Sequence, residues 1–265
     1  MKWIGLLGVL LMALAGQSQS QLSDLIQSDG FTTSSTQIHT RLEKHLKDLK
    51  SRKEKFETDA AYLADVFDYT HRKLLRTYVP YSQFNELMER GRYDCLSATA
   101  LFSVLFSELG FHYQIIETNY HIFMMVNTTQ GPVLLETTDR FNGLVKGEDR
   151  ITSRIEGYQQ NQLLSSNKNF YTYQANIYQQ VSADNLIGLL YFNQAVRHYN
   201  NQQLELCSEK LDAAMARYTN PRAEELAVIL FHSVQASNLS AEVKSRMRDR
   251  YQKYLQSIRP VLAAR

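Results

Sequence analysis

The stretch YDCLSATALFSVLFSELGFHYQIIETNYHIFMMVNTTQGPVLLETTD, residues 93–139, decides how this chain is read. Within it, Cys95–Leu109 predicts one helix. Asp94 is a good N-cap residue type, and Ala98, Leu101, Phe102, Leu105, Phe106 and Leu109 recur at helical spacing. Gly110 supplies the stop. Three short β-like runs follow, Tyr113–Thr118, His121–Val126 and Val133–Glu136, and the last two flank the turn signal NTTQGP. A helix followed by a short antiparallel sheet makes an α+β fold.

Chemistry enters through Cys95, His121 and Glu136. A thiol nucleophile needs a base to ionise it and a third group to orient the base. At the first turn of a helix, the positive end of the macrodipole favours a thiolate, and free backbone amides are placed to hold an oxyanion. A two-residue turn at Thr128-Thr129 pairs residues whose numbers sum to 257, and so sets His121 opposite Glu136. A three-residue turn over Thr129–Gly131 raises the sum to 260 and brings Asp139 opposite instead. Directly opposed side chains lie about 5 Å apart. The sequence leaves both registers open. It also leaves open that Cys95 is a small residue packed at a helix start and His121 an ordinary strand residue.

The order of these elements resembles the transglutaminase-like superfamily, thiol enzymes with a papain-related core. The resemblance covers about residues 60–140. It comprises a helix, the irregular YVPYSQFNELMERG, the helix beginning at Cys95, and the strands HIFMMV and GPVLLETT. It implies Cys95 as nucleophile, His121 as base and Glu136 as orienting acid, with Asp139 as the alternative acid. Glu stands where that family usually has Asp. The aromatic residue common after the His is absent, and acidic Asp94 adjoins Cys95. Gln83, polar and upstream of Cys95, is a candidate oxyanion donor.

Around this core, the chain reads as four parts. Residues 1–15 have a basic Lys2, a short apolar run and the small-residue pattern Ala13-Leu14-Ala15, the layout of a secretory signal peptide. The run is too short to cross a bilayer, which needs about 20 residues. A secreted or periplasmic protein is expected, with no membrane insertion after cleavage. Residues 16–39 form a loose lead-in with one short helix near residues 22–26. Residues 40–182 form the transglutaminase-like domain. Within it, Leu42, Leu46 and Leu49 and then Tyr62, Leu63, Val66 and Phe67 mark helices, with Thr58-Asp59 capping the second and Pro80 ending it. Residues 142–180 read as loop, NGLVKGEDR, followed by a polar, Tyr- and Gln-rich stretch over 150–180.

Residues 183–265 are helical throughout. LYFNQAVRHYNNQQLELCSEKLDAAMARYTNP resembles one tetratricopeptide repeat, a pair of antiparallel helices with small residues at their contact. The resemblance puts Ala195, Cys207 and Ala214 at the three small positions, with Tyr191 and Leu211 at bulky ones. A single unit does not make a solenoid, so a helical subdomain is expected, able to grip a protein partner.

The formal net charge of +2 gives no electrostatic reason to bind nucleic acid or anionic membrane. A hydrophobic fraction of 44% fits a packed core. Two cysteines are too few for a disulfide framework, and no metal-ligand spacing or phosphate loop calls for a cofactor. Two function classes follow. One is an exported thiol enzyme acting on peptide or amide bonds by hydrolysis or acyl transfer. The other is an inactive scaffold of the same fold that binds peptide or protein partners.

Overall fold

The computed structural model describes residue 25 and residues 35–118, 121–166 and 177–263. The signal-peptide stretch lies outside the described residues, and of the expected helix near residues 22–26 only Leu25 is described; it is helical and buried. Among the described residues, no helix is long and apolar enough to cross a membrane. The protein is mixed α+β, with an antiparallel sheet, and divides into two compact units. The first holds residues 1–165 and 176–186, the second residues 166–175 and 187–265.

In the first unit, α1 (Ser35–Lys50) buries Leu42, Leu46 and Leu49. A 3-10 turn at Lys53–Lys55 leads to α2 (Asp59–Lys73), whose N-cap Thr58 accepts a hydrogen bond from the Ala61 amide at 3.1 Å. The helix ends at Lys73, well before Pro80. The residues between form β1 (Thr77–Tyr78), which pairs in parallel with β2 (Arg92–Tyr93). The segment expected to be irregular also contains α3 (Phe84–Arg90), which buries Phe84, Leu87 and Met88.

Helix α4 (Cys95–Leu109) is buried along nearly its whole length, and Gly110 ends it in the left-handed conformation at φ 79°. Strands β3 (His112–Thr118), β4 (Ile122–Thr128) and β5 (Gly131–Leu135) follow, then β6 (Leu144–Lys146), α5 (Glu148–Ser166) and β7 (Tyr178–Val181). The five-stranded sheet runs β6-β5-β4-β3-β7, antiparallel at each junction. The sequence shows only the middle three strands. β6 is three residues long and β7 is mostly exposed, so neither carries a strong alternating apolar signal.

Side-chain alternation gives the sheet two different faces. Ile116, Phe123 and Leu134 point to α5 and pack with Ile151, Ile155 and Tyr158. Tyr113, on the other parity, reaches α4. Its hydroxyl donates to the Ser103 carbonyl at 2.9 Å, and its ring lies 5.9 Å from that of Phe106. Helices α4 and α5 therefore cover opposite faces.

The second unit contains most of α6 (Ala183–Asn200), then α7 (Leu204–Arg217), α8 (Pro221–Ala236) and α9 (Ala241–Ala263). Ala195, Cys207 and Ala214 are all buried, and so are Leu211, Leu226, Leu230 and Val234. α6 approaches the end of α7 closely at Gly188, where a methyl group would stand 2.8 Å from the Tyr218 Cβ and 3.2 Å from the Ala214 carbonyl oxygen. Asn220 caps α8 by accepting from the Ala223 amide at 2.9 Å.

Candidate functional site

The site is built at the end of the sheet where β4 starts and β5 finishes. The observed β4–β5 register pairs residues whose numbers sum to 259, as in Met124 with Leu135 and Thr128 with Gly131. The turn is Thr129-Gln130, one residue later than Thr128-Thr129. Both expected registers, 257 and 260, are therefore corrected. The reason is a contact distant in sequence: Asp59 takes the Thr129 amide and hydroxyl at 2.8 and 2.7 Å, which makes Thr129 a turn residue, while Thr128 stays in the ladder with its hydroxyl on the Gly131 carbonyl. Such long-range contacts are invisible to turn-residue counting.

Glu136 is consequently the diagonal neighbour of His121. Continued one residue past its last pair, the register sets Glu136 opposite Phe123. A shift of two residues keeps the side chains on one face, and diagonal neighbours remain within reach of long side chains. His121 Nε2 and Glu136 Oε2 are hydrogen-bonded. Asp139 is occupied elsewhere. Its Oδ1 accepts the amides of Phe141 and Asn142 at 3.2 and 2.9 Å, folding the loop back. That loop closes through the Glu136 amide, which donates to the Gly143 carbonyl at 2.8 Å. A methyl group on Gly143 would stand 2.4 Å from the Glu136 carbonyl oxygen, so this close approach requires glycine.

Glu136 is a buried hub. Tyr158, from α5, donates its hydroxyl to Oε2 at 2.9 Å. Thr138 donates its amide and hydroxyl to Oε1 at 3.2 and 2.8 Å. Burial pushes this carboxyl up, but the bonds from His121, Thr138 and Tyr158 together outweigh it and hold the group below the ordinary carboxylate range. The Tyr158 ring also lies 4.8 Å from the His121 ring. The His121 backbone is held from the other side, where the Thr118 amide and hydroxyl donate to its carbonyl at 2.8 and 3.0 Å.

Cys95 is the first residue of α4 and is half-buried. Asp94, next to it, is engaged as the cap. Its Oδ1 accepts the Ser97 amide and hydroxyl, both at 2.8 Å, and its amide donates to Ser97 Oγ at 3.0 Å. Burial nonetheless raises the Asp94 carboxyl. The helix start is tied to the acid strand by Thr137, whose hydroxyl donates to the Cys95 carbonyl at 3.3 Å and meets Thr99 Oγ1 at 3.2 Å. Consecutive residues of one strand end thus serve two sides, with Glu136 on His121 and Thr137 on the helix of Cys95.

Tyr78 borders the same place. β1 sets it beside Tyr93, two residues before Cys95, with the rings edge to face at 6.0 Å. It is 53% exposed. Burial of part of the phenol, with Cys95, Asp94 and Glu136 nearby, pushes it up to about 12, so it carries its proton at neutral pH. Gln83 sits half-buried at the N-cap of α3, where its amide donates to Glu86 at 3.0 Å.

Tyr158, Thr137, Thr138 and Tyr78 are absent from the sequence-level site. ETT at 136–138 gives a hint, because hydroxyl residues beside a carboxylate are its natural donors. Tyr158 lies in a stretch whose polar composition hides its helix. Cys207, by contrast, is fully buried, and burial pushes its thiol up to about 12. Both cysteines are free. Among the described residues, no group of three or more His, Cys, Asp and Glu side chains is placed to hold a metal. No family model, curated protein or solved structure matches the chain.

Proposed function

We propose that this is an exported thiol protein with a transglutaminase-like core, acting on amide or peptide bonds through Cys95, His121 and Glu136. The observation that carries the reading is the hub at Glu136. A buried, ionised carboxylate with three other donors grips the imidazole of His121, while the next residue, Thr137, grips the first residue of the nucleophile helix. An acid that fixes the tautomer and tilt of a histidine, on a strand end tied to a helix that begins at a cysteine, supports thiol acyl transfer.

In this reading, the Cys95 proton passes to His121 and the thiolate attacks the substrate carbonyl carbon. The carbonyl oxygen takes the electron pair of its π bond as a tetrahedral oxyanion. The positive end of the α4 dipole favours it there, with Tyr78 and Gln83 as the side-chain donors to test. Collapse breaks the C–N bond, His121 protonates the leaving amine, and a thioester remains on Cys95. Water or a second amine then takes the acyl group and restores the thiol.

One observation favours the inactive scaffold instead. His121 shares the parity of Phe123, the face that α5 covers, whereas α4 lies against the opposite face. The thiol and the imidazole must therefore meet around the end of the sheet. A burst experiment separates the two readings. With p-nitrophenyl acetate at neutral pH, the enzyme reading expects close to one equivalent of p-nitrophenolate released rapidly, and none from Cys95→Ala. A parent protein with no burst above Cys95→Ala is the scaffold, and its second, helical unit then becomes the place to look for partners.

A further inference from the structure

Beside the Glu136 hub, a cleft of about 770 Å³ opens between the loop at Phe141 and the exposed side of α5, lined by Phe141, Asp149, Arg150, Ser153, Arg154 and Tyr158 among others. Its size suits one or two residues of a peptide. Three features set it apart from an ordinary surface groove.

The first is Phe141, which is 88% exposed, more than any other large apolar side chain described as exposed. The loop beneath it is firmly built. Asp139 caps it, and Arg140 reaches Asp68 at 3.1 Å. The ring is therefore presented from a fixed support. The second is charge. Arg150 and Arg154 are four residues apart on one helix, a like-charge pair that weakens a helix unless an anion lies between them. Among the described residues Arg150 makes no ion pair, and Arg154 donates to a neutral oxygen, the Asn142 carbonyl at 3.4 Å. Asp149 is the one carboxylate on the lining. The third is connection. Tyr158, on the lining, donates to Glu136, and Glu136 holds His121.

We infer that this cleft is a substrate subsite for an acidic peptide segment, taking a carboxylate side chain between Arg150 and Arg154 and an adjoining apolar residue against Phe141. As a substrate subsite it rests on the thiol-enzyme reading above; as a binding site it does not. The occupant would lie one tyrosine ring from His121, on the side away from α4.

Binding is measured on full-length protein carrying Cys95→Ala, which removes any turnover. The probes are fluorescein-labelled Gly-Gly-Phe-Glu-Gly-Gly and the same peptide with Gln for Glu, titrated by fluorescence anisotropy at low salt. The acidic peptide is expected to bind at least ten-fold more tightly, with the difference shrinking as salt rises. Arg150→Gln/Arg154→Gln should abolish the preference. Phe141→Ala, on an exposed side chain that the fold does not need, should weaken both peptides several-fold and leave the preference intact. Equal affinity for the two peptides, or a preference that survives in the double arginine variant, overturns the proposal. Alkylation of Cys95 in the parent protein reports the enzyme reading separately. Slow alkylation with selective binding leaves an acid-binding cleft without an enzyme. Fast alkylation without selective binding leaves an enzyme without this subsite.

Discussion

The two units bury different things. The first encloses polar and titratable groups, namely His45, His71, Asp94, Glu117 and Glu136, in a core that also contains Phe67, Phe102 and Phe123. The second packs Ala195, Ala223, Ala227, Leu211, Leu230 and Cys207 with Tyr251, whose hydroxyl meets Ser208 Oγ at 2.8 Å; its histidines, His198 and His232, are not buried. A core of aliphatic residues and neutral polar groups, here Gln194, Ser208 and Asn220, has no charge to bury. One that buries carboxylates and imidazoles stays folded only while each is neutral or hydrogen-bonded. The first unit carries that burden, with His45 and His71 between its helices and Glu136 at the sheet end beside His121.

Acid should expose the contrast most. Burial lowers both His45 and His71 from the ordinary 6.5 to about 4. Between those values the unfolded chain binds protons that the folded chain refuses. Stability is therefore complete above pH 6.5 and falls as pH drops towards 4, by about 3 kcal/mol for each histidine. Glu136, lowered in the fold, adds a further loss below its ordinary 4.5. Hydrogen exchange at pH 7 and pH 4.5 should show protection lost in residues 35–166 and kept in residues 187–252. Equal loss in both units would remove the distinction.

Thiol chemistry sharpens it at a second level. Cys207 is sealed and raised to about 12, whereas Cys95 is half-buried at a helix start. Iodoacetamide on native protein at pH 7.5 should modify Cys95 roughly 100-fold faster, equivalent to about 2.7 kcal/mol. Peptide mapping after timed quenching reads both sites. Comparable rates would mean that Cys95 is as inert as a core residue.

The hub offers a third comparison. Removing the Tyr158 hydroxyl deletes a donor to a buried carboxylate, so Tyr158→Phe should cost about 2 kcal/mol in urea unfolding and raise the Glu136 pKa. A variant with unchanged stability would show that the bond contributes nothing to the fold. Capping gives the smallest effect. Thr58→Ala in the first unit and Asn220→Ala in the second should each cost about 1 kcal/mol. A cost confined to one unit would mean that the other helix start is held by packing alone.

Much of this was legible in sequence because it depends on local chemistry. Asp94, the apolar spacing and Gly110 define α4 to the residue, and the Ala195, Cys207 and Ala214 positions are buried. What was not legible depends on distant partners. The hairpin register is displaced because Asp59, seventy residues away, takes Thr129 as a turn residue. Pro80 marks no helix end, because α2 stops at Lys73 and β1 intervenes. α5 is hidden because its residues 148–159 are mostly exposed or half-buried, with Ile151, Ile155 and Tyr158 among them packed on the sheet. The carboxylate that meets His121 is Glu136, as the shorter turn suggested, but by a diagonal contact that direct pairing does not describe.

The central claim is that His121 acts on the Cys95 thiol. Its direct test is the rate of Cys95 alkylation by iodoacetamide as a function of pH, in the parent protein and in His121→Ala. An imidazole that shares the thiol proton gives a parent profile with substantial reactivity well below the ordinary thiol range near 8.5, and that low-pH reactivity disappears in His121→Ala. Superimposable profiles for the two proteins, both rising only near 8.5, would contradict the account and leave the imidazole bound to Glu136 for structural reasons alone.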